Sequence, residues 1–307
     1  MKKKLLFAAV ILVVIVIAAG IAVVAFIDGI ARNAIERGGT YALGAQTKVS
    51  GVSVGLLGGR FSMSGLNVAN PAAAGAGNFN SDHFLSLGSG SMAVSLSTLR
   101  QATVELPRLT LADLDVSLEK KDGQTNYGVI LDNLAKVTGK DKSKPASPSP
   151  NQKKFIIRDL DMQNIVVRVD LLGGPGAIGE LTRVTVPIDR IKLSDVGKTG
   201  DGVRGTGVTM EELAAIIVKA VLAAAVEKGG GLIPGELLND LKGRLVALGD
   251  IGNLKMEVVA AAAGKVEEIG KKAMDEGKKA LEGVKDKAKK ELDEAAEKLK
   301  GLIPGKR

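Results

Sequence analysis

TKVSGVSVGLLGGRFSMSGLNVANP (47–71) decides the fold. Val52, Val54 and Leu56 alternate with glycine and serine, Phe61 and Met63 alternate with Ser62 and Ser64, and Leu66 and Val68 follow. A period of two marks strands with one dry face and one wet face. Gly58-Gly59 supplies a turn between them, and Asn70-Pro71 followed by an Ala/Gly-rich loop to Gly77 supplies the next. Connections this short favour antiparallel neighbours.

The texture continues outward. Met92, Val94 and Leu96 alternate with small polar residues, and Leu109 and Leu111 precede Leu114, Val116 and Leu118, with Lys121-Asp122-Gly123 as a turn. The phase of alternation slips between Leu87 and Met92, and again between Leu111 and Leu114. Each slip would throw the apolar set onto the other face of a flat strand, so a bulge or bend is expected there and the sheet should be curved. Tyr127–Val137 reads as a short helix, and residues 138–152 as a polar, proline-rich linker. Strands resume beyond it. Ile165, Val167 and Val169 alternate in the first; Val184, Val186 and Ile188, then Ile191 and Leu193, mark the second. The two match in length and would pair as a hairpin that extends the first sheet.

A helix is predicted from Thr209 to about Glu227. Thr209 and Glu212 have capping-box spacing, and Val208 with Leu213 would form a hydrophobic staple. That helix is apolar nearly all round and needs cover on most sides. A further helical stretch spans 234–248. From Met256 the chain is Ala, Lys, Glu and Gly with a thin apolar stripe at helical spacing, which predicts a long amphipathic helix weakened by its glycines.

At the other terminus, Leu5 to Ile27 is an unbroken apolar run behind Lys2, Lys3 and Lys4. As a helix it would measure about 34 Å, enough for a ~30 Å hydrocarbon core. The run is longer than a signal-peptide core, so an uncleaved anchor is expected, with the lysines cytoplasmic and the bulk of the chain outside the cytoplasm. Asp28–Leu43 then reads as a short helix leaving the membrane. The resulting organisation is a lysine cluster and anchor (1–27), a first β-segment with its helices (28–137), the linker (138–152), a second β-segment with capped helices (153–252) and a charged helical tail (253–307). The expected fold class is α+β: a transmembrane helix, a curved antiparallel sheet with covering helices, and the long carboxy-terminal helix.

Composition narrows the function. Cysteine and tryptophan are absent and aromatics are 3%, so the interior must be built from Val, Leu, Ile and Ala. The net charge is +8, yet no dense basic stripe with interleaved aromatics is present, which argues against nucleic acid. His83 is the single histidine and has no ligand partners at metal-site spacing. No GxSxG elbow exists for a nucleophile. Gly197-Lys198-Thr199 lacks the upstream glycine of a phosphate loop, and Gly200, Gly202 and Gly205 follow an alternating strand, unlike a buried dinucleotide-binding strand. Asp159 and Asp161 alternate with Leu160 and Met162, as on a solvated strand face. No catalytic residue, metal or cofactor is indicated.

The order of these features resembles the short AsmA-like proteins of bacterial envelopes, relatives of the chorein-type bridge proteins. The resemblance is carried by the anchor, the helix over 29–37, the 47–71 segment, LPRLTLADLDVSLE (106–119), GQTNYGVILDNL (123–134), KKFIIRDLDMQNIVVRV (153–169) and VTVPIDRIKLSDVG (184–197). It covers roughly residues 5 to 228, and its most specific piece runs from Gly59-Arg60-Phe61-Ser62 to Leu66–Pro71. It implies a β-groove, bent like a taco shell, that starts at the bacterial inner membrane and points into the periplasm to shelter lipid. On this reading Val94, Leu96, Leu109, Leu111, Val116, Val167, Val169, Val184 and Val186 form the apolar groove face for membrane phospholipid. The tail, 253–307, lies beyond the resemblance and is a candidate surface for an envelope protein partner. The competing expectation is a non-catalytic structural or interaction protein whose sheet is a closed core. One question separates them: whether the apolar face is open or filled by residues 209–227.

Overall fold

The computed structural model describes residues 26–55, 58–72, 79–138, 153–170, 183–198, 207–249 and 255–260. Helix α1 (26–43) leads into strands β1 (Thr47–Gly55), β2 (Arg60–Val68) and β3 (Leu85–Ala93). A 3-10 turn (Leu96–Thr98) precedes the long β4 (Thr103–Lys121), then β5 (Gln124–Thr125) and α2 (Asn126–Val137). β6 (Lys154–Asp170) and β7 (Arg183–Val196) follow, then α3 (Met210–Lys228), α4 (Gly235–Ala247) and β8 (Met256–Ala260).

One sheet collects all eight strands in the order β1-β2-β3-β4-β6-β7-β8, with β5 paired to β4 alone. β6 and β7 form the expected antiparallel hairpin, with Val167 opposite Val186. The fold class needs correction on three points. The sheet is mixed, because β4 and β6 run parallel from Thr103/Lys154 to Glu119/Asp170. A parallel neighbour requires a crossover, which α2 and the 138–152 connection provide. Second, the expected transmembrane helix is not found: among the described residues no helix is long and apolar enough to cross a membrane. The run Leu5–Ile27 lies outside the described residues except for Phe26 and Ile27, which open α1. Third, Met256–Ala260 is an edge strand on β7 instead of the start of a helix. The remainder of the predicted tail helix lies outside the described residues.

The phase slips mark a crease that crosses the whole sheet. Every ladder from β1 to β7 omits one pair at the same height: Ser50/Gly65, Gly65/Gly88, Gly88/Asp113, Asp113/Asn164 and Asn164/Asp189. Gly65, Asp113 and Asn164 are left-handed there, with φ of 61°, 61° and 52°. Glycine, aspartate and asparagine are the residues that adopt this conformation at least cost. Around the crease the dry face recurs after three residues instead of two: Val49/Val52, Met63/Leu66, Leu111/Leu114, Met162/Ile165 and Ile188/Ile191. A second crease runs through Pro107, Arg158 and Asp195, where β4, β6 and β7 again lose a pair and Asp195 has φ 55°. The creases are six residues apart on β4 (Pro107 to Asp113), or about 20 Å at ~3.3 Å per residue.

Helix α1 lies along the outer edge of β1. Residues four apart on one helix face bond backbone groups spread along the strand. Asp28 Oδ1 accepts from the Val54 amide (2.7 Å), Arg32 donates to the Ser50 carbonyl (2.7 Å), Glu36 Oε1 accepts from the Val49 amide (2.9 Å) and Thr40 Oγ1 accepts from the Thr47 amide (3.0 Å). The overall advances are comparable: the twelve residues from Asp28 to Thr40 rise about 18 Å as a helix, and the seven from Val54 to Thr47 span about 23 Å as a strand. The edge is thereby closed to other strands.

Candidate functional site

The dry face of the sheet was the predicted site, and its cover decides what it can do. Helix α3 packs on β6, β7 and β8, while α2 packs on β4 and touches both α3 and α4. The predicted capping box starts α3: Thr209 Oγ1 accepts from the Glu212 amide and Glu212 accepts from the Thr209 amide. Its alanines bring it close to the strands, and Ala220, Leu222, Ala224 and Ala225 have no exposed surface. Helix α2 adds Ile130, Leu131 and Leu134 to the same core.

Six of the nine groove candidates are therefore interior. Leu109, Leu111, Val116, Val167, Val169 and Val186 are buried in one continuous core with α2, α3 and α4. Val184 is half-buried against that core, as is Val94, which lies just past the end of β3. Leu96 is not on a strand: it opens the 3-10 turn and is 48% exposed. The predicted open groove is filled at these positions by the chain's own side chains, because the apolar helix 209–227 found its cover on the sheet.

Among the described residues polar groups gather in several other places, three of them on the sheet. At the far end of β4, the buried Glu119 carboxylate accepts from the Asn80 amide (2.7 Å), the Ser81 amide (3.0 Å) and the Ser81 hydroxyl (2.9 Å). Asn126 is fully buried beside it. Its Oδ1 accepts from the Glu119 and Tyr127 amides, and its Nδ2 donates to Asn70 Oδ1 and the Ser117 carbonyl. Every lone pair and proton of this Asn126 amide group is used, so the cluster pins the 79–83 segment to β4 and leaves nothing for a ligand.

The second place is a cleft of about 720 Å³ on the wet face, lined by Arg108, Asp159, Asp161, Arg190, Lys192, Lys255 and Glu257 among others. Arg190 grips Asp161 with two bonds, at 2.7 and 2.6 Å. The Arg190 hydrogen bonds hold the Asp161 carboxyl below its usual range, against an opposing effect of burial. The pair neutralises itself. Among the described residues no group of three or more His, Asp or Glu stands in a metal-holding arrangement.

His83 is the third. Its Nε2 lies 3.7 Å from Asp115 Oδ1, and neither atom has a hydrogen-bond partner. Arg168 forms the ion pair with the other Asp115 oxygen. Burial, then Arg168, lowers the imidazole pKa, while Asp82 raises it. An imidazole that lies 3.7 Å from Asp115 Oδ1 without a hydrogen bond to it is not an activated base: a general base needs hydrogen-bond reach to its partners.

No family model matches this chain, and no curated protein matches it. The AsmA-like reading thus stands on the quoted segments alone. Sequence reasoning missed Glu119, Asn126 and the Asp115–Arg168 pair. Asn70-Pro71 was read only as a turn, although its asparagine side chain ties that turn to Ser81 and Asn126.

Proposed function

We propose that this protein is a non-catalytic scaffold or interaction protein of the bacterial envelope, with a sheet that serves as a closed core. The observation that carries the reading is the filled dry face: Met162, Val167 and Ile191 are 0% exposed beneath the helices. An acyl chain would have to displace α3, which buries eight of its own residues. The alternative enzyme reading finds no support in the self-paired charges of the wet face. Work then falls to the surfaces of the sheet's ends and of the helices.

Native mass spectrometry of detergent-extracted full-length protein tests this. The expected result is a lipid-free mass, with Val167→Asp lowering the unfolding midpoint because an unpaired charge enters the core. Stoichiometric phospholipid that is lost in a stably folded Val167→Asp variant would restore the groove.

A further inference from the structure

The two ends of the sheet differ, and the end at which α1 begins (the leading end) is built unlike the rest of the surface. Asp28 meets Val54 there, so the start of α1, the end of β1, the start of β2, the end of β3 and the start of β4 lie together. The 3-10 turn that joins β3 to β4 projects from it. Leu96 and Leu99 on that turn are 48% and 40% exposed, and Phe26 at the start of α1 is 70% exposed. Leu96 packs at the Gly59 turn, where a Cβ would lie 3.3 Å from its side chain.

Basic residues surround these leucines. Arg60 follows Gly59 and Arg100 follows Leu99; both are exposed and neither has an acidic partner among the described residues. Lys153 reaches across to the carbonyls of Leu99 and Gln101. Of the acidic side chains nearby, Glu105 pairs with Arg158 at 3.0 Å and Asp195 with Lys198 at 4.0 Å, while Asp28 accepts from the Val54 amide. The helical cover of the dry face also thins towards this end. Val52, Val54 and Phe61 are half-buried and stay outside the main core.

Exposed leucines ringed by uncompensated arginines are the chemistry of an interfacial contact: apolar side chains enter the headgroup–acyl boundary while cations hold anionic lipid phosphates. We infer that the leading end of the sheet, through Leu96, Leu99, Arg60 and Arg100, docks flat on an anionic bilayer surface. The contact is peripheral and needs neither an open groove nor a spanning helix. It is independent of the closed-core reading, since a lipid-free interior and a lipid-bound tip are separate properties.

The absence of cysteine allows a clean test. Ser97→Cys, exposed within the turn, carries an environment-sensitive fluorophore; Asn239→Cys, exposed on α4 near the opposite end, is the control. The full chain is reconstituted into vesicles of phosphatidylcholine alone or with phosphatidylglycerol, each with a nitroxide-labelled lipid. The expected result is a blue shift and quenching at position 97 with phosphatidylglycerol, several-fold above phosphatidylcholine, and none at 239. Arg60→Glu with Arg100→Glu should weaken the response by roughly fivefold per arginine, with the far-ultraviolet circular dichroism unchanged. Added salt should weaken it too, by screening. A water-like label at 97 in both vesicles, or equal quenching in both, overturns the inference. So does a response at 97 that survives the double charge reversal.

Discussion

Glu36 accepts a hydrogen bond from the Val49 amide at 2.9 Å, and so a helix side chain does what a ninth strand would otherwise do. Removing the acceptor exposes a strand edge. Glu36→Ala should cost about 1–2 kcal/mol in urea denaturation, while Glu36→Gln, which keeps an acceptor oxygen, should cost less than half of that. Hydrogen exchange at the Val49 amide should rise in the alanine variant, and its soluble fraction should fall on concentration.

Asp113 and Asn164 share a crease, with Asn164 Nδ2 donating to Asp113 Oδ1 at 3.1 Å, and both are left-handed. Asp113→Gly should be close to neutral, because glycine accepts the conformation although it forgoes that bond. Asp113→Val should destabilise by about 2 kcal/mol, since a β-branched residue is poorly tolerated at positive φ. Thermal unfolding of the two variants side by side checks the order. Equal losses would mean that the hydrogen bond and not the backbone sets the requirement.

Glu119 satisfies two backbone amides and a hydroxyl of residues 80 and 81. Glu119→Ala should cost about 2–3 kcal/mol, the desolvation penalty of buried donors left unmade. Limited proteolysis should then cut within 79–83 before it cuts elsewhere in the sheet.

His83 gives the molecule a mild acid sensitivity. Its folded pKa lies below the ordinary 6.5 through burial and Arg168, with Asp82 opposing and Asp115 Oδ1 3.7 Å away. On acidification the unfolded chain binds the proton first. The stabilising contribution is complete above the unfolded value and is lost as pH falls through it towards the folded one. The unfolding midpoint should decline from about pH 7 to pH 5, and His83→Gln should flatten that slope.

Much of the sheet was readable from residues alone. Alternation placed β1, β2, β4, β6 and β7, and the slip between Leu111 and Leu114 announced the bend that Asp113 makes. The capping box at Thr209 fixed the start of α3. Strand direction across the 138–152 connection was not readable, because a crossover and a hairpin leave the same period of two. The site was misjudged for a related reason. Val116 and Val167 show that a strand is dry, and periodicity does not say whether lipid or the chain's own α3 keeps it so. Leu96 continued the alternation of Met92 and Val94, yet the chain had already left the sheet at Ala93.

The shared left-handed row also governs who may join this structure. A newcomer strand laid beside β7 must itself kink level with Asp189 or forfeit its rungs beyond that point. β8 shows the compromise, shifting its alignment by one residue between Ile188 and Arg190. Straight, generic strands are thus poor recruits, and the fold discriminates against casual polymerisation by its geometry as well as by its guarded flank.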